Sequence, residues 1–420
     1  MQKGVLLNSS MEKENLETLG MRTLFVHERF GAFGGAEANI LLSAGELRRR
    51  SHTTAILHGP GTGRAEAQWS EVFSRCFPLQ RGAIIDSVQS ALWEFEPDVI
   101  YLHKMPDLRV LELLLASGIP VVRMVHDHDL YCMRSYKYNF FTRQICRRAA
   151  SAYCVFGCGA FLARNHEGKF PFKWVSYLAK RKEIRLNQKC QRMIVATQYM
   201  REELIRNGFD DSRIAILAPV PQPSNTDLQS SFSERNLLLF AGQIIRGKGV
   251  DVLLEALSKV KVPFECIILG DGSHRSYCEQ LSRQLGLEGR VQFKGFVPQA
   301  EIKEYYHEAS VVLMSSVWPE PFGAIGLEGM RYGLPVVAFD AGGIKEWLID
   351  GQNGRLVPWM DKAAFAQAVE ELLLDKQRAR ALGQNAMKLA SAQFDFSNYI
   401  SGLEGVLEEL VQSGKERAVV

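Results

Sequence analysis

Short apolar runs alternate with amphipathic helical stretches along almost the whole chain, and this alternation constrains the fold more than any other feature. TLFVHE, TTAILH, DVIYLH and PVVRMVH are separated by stretches such as ANILLSAGELRRR and DLRVLELLLASG. The second half repeats the pattern with NLLLFAGQ, FECIILGDGS, VVLMSS and PVVAFD. Strands that are apolar on both faces and joined through helices belong to parallel, doubly wound sheets with helices on either side. A chain of 420 residues can bury two such cores. The expected organisation is a loose extension over residues 1–20, a first domain over 21–222, a linker over 223–234 and a second domain over 235–395. The last helix, 396–420, is expected to return to the first domain.

The hydrophobic share of 46% and charged share of 23% are ordinary for a soluble α/β protein. No apolar run approaches the roughly 18 residues of a membrane-spanning helix, and the N-terminus lacks the apolar core of a signal peptide. The expectation is a cytoplasmic protein, at most peripheral on the inner face of a membrane. Eight cysteines in such a chain argue against a disulfide framework.

One stretch departs from this average. Between Arg134 and Arg192 there are fourteen Lys or Arg against two acids, Glu167 and Glu183, with aromatic residues interleaved. A solvated basic insertion, about 132–192, is the plain reading. A surface for anionic lipid is the sharper one, since cations attract headgroups while aromatic rings settle at the interface. No nucleic-acid module accompanies the charge, so no nucleic-acid partner is expected. The same insertion holds Cys132, Cys146, Cys154 and Cys158. Two readings stay open for these: free thiols, or a structural zinc site whose spacing departs from the paired C-x2-C of common zinc modules.

Candidate chemistry gathers where strands end, because ligands of doubly wound sheets sit outside the carboxyl ends of the strands. In VWPEPFGAIGLE, Glu320 follows the VVLMSS strand and Glu328 lies on the next helix, whose start near Gly323 directs free N–H groups and a positive dipole end at that crevice. RFGAFGGAE carries Gly34 and Gly35 from the first strand into a helix; the glycines alone would fit an ordinary tight turn. Arg246 and Lys248 follow NLLLFAGQ, Gly270 and Gly272 follow FECIILG, and Gly342 and Gly343 follow PVVAFDA. Three strands end in histidine, at His58, His103 and His126. Asp127 and Asp129 form a D-x-D, a pattern that chance makes common.

The pattern E-P-F-G-x-x-x-L-E, followed by GMRYGLPVVAFDAGGIKEWLIDGQNGRLV, resembles the donor site of the family 4 glycosyltransferases, which are retaining enzymes of the GT-B type. The resemblance runs from about Thr23 to Asp361 and departs from the family at Lys345, where proline is usual. It implies two Rossmann-like domains facing across a cleft, with a nucleoside diphosphate sugar on the C-terminal side and a glycan or lipid-linked acceptor on the other. It assigns catalysis to Glu320 and His126, and donor binding to Arg246, Lys248, Gly270, Gly272, Phe322, Gly323, Ala324, Glu328, Gly342 and Gly343. Gly34 and Gly35 would close over phosphate and acceptor. No cofactor is implied for catalysis, since protein cations serve the diphosphate. The resemblance points to cell-surface polysaccharide or glycolipid synthesis; a sugar-nucleotide epimerase of the same architecture and a non-catalytic glycan- or lipid-binding protein are the alternatives.

Overall fold

The computed structural model describes residues 20–139, 141–164, 172–220 and 232–419. The expected N-terminal extension up to residue 19 and most of the expected linker lie outside these. Fifteen strands are present among the described residues: β1 (Arg22–His27), β2 (Thr53–His58), β3 (Arg75–Pro78), β4 (Val99–Leu102), β5 (Val121–Val125), β6 (Leu162–Arg164), β7 (Phe172–Trp174), β8 (Arg192–Val195), β9 (Ile214–Ile216), β10 (Leu237–Ala241), β11 (Glu265–Leu269), β12 (Val291–Gly295), β13 (Val311–Met314), β14 (Val336–Phe339) and β15 (Gly354–Val357). Seven form one sheet in the order β3-β2-β1-β4-β5-β8-β9, and six form another in the order β12-β11-β10-β13-β14-β15. Both are parallel sheets of Rossmann-like type, as the strand alternation requires. β6 and β7 make a separate antiparallel pair inside the basic insertion.

In each sheet the chain starts in the middle, builds outward on one side, then crosses back to build the other. The reversals fall between β1 and β4, and between β10 and β13. Loops leaving neighbouring strands in opposite directions open a crevice at that point. The central strands are wholly buried, with Leu237–Ala241 and Val311–Met314 each covered on both faces. Each fully buried Val, Leu or Phe contributes about 1.5–3 kcal/mol relative to exposure. This rigid floor fixes where the strand-end loops begin.

Among the described residues, 20–122 together with 404–419 form one compact unit, and those within 123–403 form the other. In the first unit the helix Gly35–Arg49 follows β1 through Gly34, whose N–H donates to the Glu37 carboxylate at 2.9 Å. The C-terminal helix Phe396–Val419 brings Glu404 to Arg50 and His52, at 2.7 and 2.6 Å. The second unit contains strands of both sheets and therefore the whole surrounding of Glu320.

Candidate active site

The site is built on the reversal between β10 and β13. After β10 the chain turns through Gly242–Ile245 into a 3-10 turn, Arg246–Lys248, and after β13 it runs through Ser315–Pro321. Ser315 Oγ donates to the Lys248 carbonyl at 2.9 Å, and the N–H groups of Val317 and Trp318 both donate to the Gly247 carbonyl, at 2.9 and 3.1 Å. The two loops are thus fastened backbone to backbone. That brings Lys248 Nζ to 2.7 Å from Glu320 Oε1, where Trp318 Nε1 also donates at 2.9 Å and Ser316 Oγ donates as well.

Glu320, although it lies on a loop, is 3% exposed. The physical reason is the tight apposition of the two loops, which closes over the carboxylate while leaving the lysine half-buried. Burial pushes the Glu320 carboxyl up, but the Lys248 charge and the hydrogen bonds from Lys248, Ser316 and Trp318 outweigh it and hold the group below its usual 4.5. The site therefore keeps an ionised carboxylate in a water-poor place.

The backbone that carries Glu320 is fixed on every side. Three successive carbonyls, those of Pro319, Glu320 and Pro321, accept from His128 Nε2 at 2.8 Å, Gly343 N at 2.8 Å and Thr197 Oγ1 at 2.7 Å. The Glu320 N–H donates to the Ala341 carbonyl at 3.0 Å. The flanking prolines have restricted φ and no N–H to satisfy. Gly342 has φ +73° and passes so close that a Cβ would lie 2.5 Å from the Glu320 carbonyl oxygen, so glycine is required there.

His128 is the unforeseen member of this set. Its partner at Pro319 can only accept, so Nε2 carries the proton, and Nδ1 then accepts from Tyr131 Oη at 2.7 Å. Burial pushes the imidazole down and keeps it neutral, which matches that pairing. Sequence reasoning also missed Glu346. Its two carboxylate oxygens accept from Gln198 N and Tyr199 N, each at 2.7 Å, at the start of the helix Gln198–Arg206. Removing this clasp by Glu346→Ala should cost about 2 kcal/mol, as expected for hydrogen bonds to a charged group. A lower denaturation midpoint with unchanged denaturant slope would show it, and an unchanged midpoint would mean the clasp carries no stability.

Other expected site residues take these places. Gly270 (φ +126°) packs on Gly242, where a Cβ would lie 1.9 Å from the carbonyl oxygen, so it shapes the turn ahead of Arg246. Gly323 caps the helix Ala324–Arg331, and its entry is fixed by Trp347 Nε1 donating to the Phe322 carbonyl at 2.6 Å. The Phe322 ring is buried against Phe394, so only its backbone can serve a ligand. Ala324 is exposed, and Glu328, half-buried, accepts from Tyr306 Oη at 3.1 Å. His126, half-buried, stands one residue beyond β5. A Cβ on Gly35 would meet no protein atom within 4 Å, so the fold itself does not require glycine there.

The insertion reaches this site, with Tyr136 packed on Trp318 at 5.2 Å between ring centroids. Its surface charge is smaller than the residue count suggests. Lys137 is 2% exposed and pairs with Glu203 at 2.7 Å, Arg143 pairs with Asp251 at 2.6 Å, and Arg134 donates to the Cys158 and Gly159 carbonyls. Among the described residues, no three of Cys132, Cys146, Cys154 and Cys158 bring their sulfurs within 4.8 Å of one another. His52, Glu404 and Glu408 do meet that distance, but Met21 N–H donates to His52 Nδ1 at 3.0 Å. Nε2 then carries the proton given to Glu404 and has no lone pair for a metal.

The residue pattern of the Glycosyltransferase Family 4 group matches residues 33–219, and that of Glycosyl transferases group 1 matches residues 225–389. The chain belongs to the family 4 glycosyltransferases. A D-inositol 3-phosphate glycosyltransferase of Xylanimonas cellulosilytica is 30% identical over 245 residues, 54% of this chain and 58% of that protein. A lipopolysaccharide core biosynthesis glycosyltransferase, LpsE of Rhizobium meliloti, is 30% identical over 38% of this chain and 45% of that one. The chain thus spans about half the length of these curated relatives. Anabaena HepE, solved with UDP and glucose, superposes with a TM-score of 0.68 at 21% identity, over 93% of this chain and 100% of that one. The likeness to HepE shows a shared GT-B fold.

Proposed function

We propose that this family 4 member transfers a glycosyl group from a nucleoside diphosphate sugar to an acceptor hydroxyl with retention at the anomeric carbon. The observation that carries this is the buried, ionised Glu320 joined to Lys248 at the sheet reversal. The glycosyl–phosphate C–O bond breaks with its electron pair going to the diphosphate, and the ring becomes oxocarbenium-like. Preorganised charge is what such a transition state needs. Arg246, Lys248 and the helix start at Gly323 receive the diphosphate, while Glu320 faces the cationic ring and Glu328 the ribose hydroxyls. An ammonium has three donors, so Lys248 can hold Glu320 and a phosphate together.

Glu320 Oε1 already accepts three hydrogen bonds, which lowers its nucleophilicity. That supports a front-face route in which the acceptor oxygen bonds to the anomeric carbon as its proton passes to the departing phosphate. The D-x-D carboxylates are engaged locally, Asp127 by Asp129 N at 2.7 Å and Asp129 by Ser135 Oγ at 2.6 Å, which supports catalysis without a divalent metal. HepE was solved with UDP and with UDP-glucose, so a UDP-sugar is the first donor to test. LpsE and the solved lipopolysaccharide galactosyltransferase WaaB support a cell-surface glycan or lipid-linked acceptor. A lipid-linked acceptor would be reached peripherally, at the inner face; no described helix is long and apolar enough to cross a membrane.

The test follows sugar-nucleotide turnover and the anomeric configuration of the product by NMR, with and without acceptor and with EDTA. Acceptor-dependent transfer with retained configuration, unaffected by EDTA, is expected. Turnover without acceptor that changes only the sugar would assign an epimerase instead.

A further inference from the structure

The helix Tyr177–Asn187 has two unlike faces. At 100° per residue, Leu178, Arg181, Lys182 and Arg185 fall within one arc, and all four are exposed. Lys180, Glu183, Ile184 and Asn187 fall on the opposite arc and are half-buried or buried. Lys180 Nζ donates to the Asp129 carbonyl and to Glu183, each at 2.6 Å, which neutralises the helix's one acid and ties the inner face to the loop after β5. That loop begins at His126. The outer face is thus purely cationic, with a bulky aliphatic residue at its start.

Just ahead of the helix, Trp174 is 81% exposed and stacks on Phe161, with Leu178 75% exposed beyond it. Large apolar side chains left in water cost free energy unless something covers them, and here they adjoin a row of cations. An aromatic and aliphatic edge beside a cationic helix face fits the boundary between headgroups and acyl chains. A nucleic-acid backbone would satisfy the cations but offer nothing to Leu178.

We infer that Trp174, Leu178 and the Arg181–Lys182–Arg185 face dock this protein on an anionic phospholipid surface, with the inner face of the same helix tied to the loop that carries His126. This rests on the reading of the acceptor as lipid-linked, because docking here would hold that loop beside the membrane. Lys180, although basic, plays no part in docking, since it faces inward.

Flotation of the full chain with phosphatidylcholine vesicles, with and without phosphatidylglycerol, tests the surface independently of any turnover. Binding should require the anionic lipid and weaken as salt rises. Arg181→Glu, Lys182→Glu and Arg185→Glu together should lower the vesicle partition coefficient about a hundredfold, from the typical contribution of three interfacial cations. Trp174→Ser with Leu178→Ser should weaken binding at every salt concentration without changing the salt slope. Melting curves matching the wild type show that the variants are folded. A wild-type chain that ignores anionic vesicles at low salt, or a charge-reversed chain that floats like wild type, would each overturn the proposal. Failure of glycosyl transfer alongside intact flotation would instead strike the proposed reaction and leave the surface standing.

Discussion

Glu320→Gln should lower kcat at least about a hundredfold while the protein remains folded, the scale expected when one preorganised charge-stabilising group is lost. Glutamine has the same shape and still offers an oxygen to Lys248 Nζ, Trp318 Nε1 and Ser316 Oγ, so the loop loses no acceptor at Oε1. What disappears is the negative charge that would face a cationic ring. KM for the donor should change little, because the groups proposed to hold the diphosphate are untouched. A folded variant with wild-type kcat would remove Glu320 from the chemistry.

The pH dependence has a definite sign. Native Glu320 titrates below its usual 4.5, so its contribution to stability is complete above that value and is lost as pH falls through the lower native value. Wild type should therefore lose stability relative to Glu320→Gln only on the acid side, which paired unfolding curves can read.

Much of the architecture was legible because parallel strands covered on both faces must be apolar along their length. LLLFA and VVLM announce themselves for that reason, and each is wholly buried. The loops after them carry Glu320, whose place beyond a buried strand marks it, and Arg246 and Lys248, which the family resemblance singles out. The groups that hold Glu320 in place were not legible. His128 lies 191 residues from Pro319 and Thr197 lies 124 residues from Pro321, and no periodicity in sequence encodes such contacts. Lys137 shows the converse error. Counted as surface charge, it is buried against Glu203, because a sequence reports a residue's type and not the partner that makes burial affordable. The pattern of cysteines in the insertion likewise says nothing about whether their sulfurs converge.

Lys248→Ala should damage the protein twice, and the two effects can be separated. Turnover should fall about a hundredfold or more, since the cation proposed for the diphosphate is gone. Stability should fall as well. Glu320, 3% exposed, would keep only the neutral donors Ser316 and Trp318. Removing one partner of a buried pair typically costs about 3–5 kcal/mol because the other charge is left uncompensated. The expected loss here lies toward the low end of about 3 kcal/mol, as the Lys248 side chain is 21% exposed and water can enter where it stood. Adding Glu320→Gln to Lys248→Ala removes the stranded charge, so the double variant should recover most of the stability and none of the turnover. Denaturant midpoints for the four proteins give the coupling directly. If the two losses of stability simply add, the ion pair is not the element that joins these loops, and the backbone contacts of Gly247 and Ser315 hold them without it.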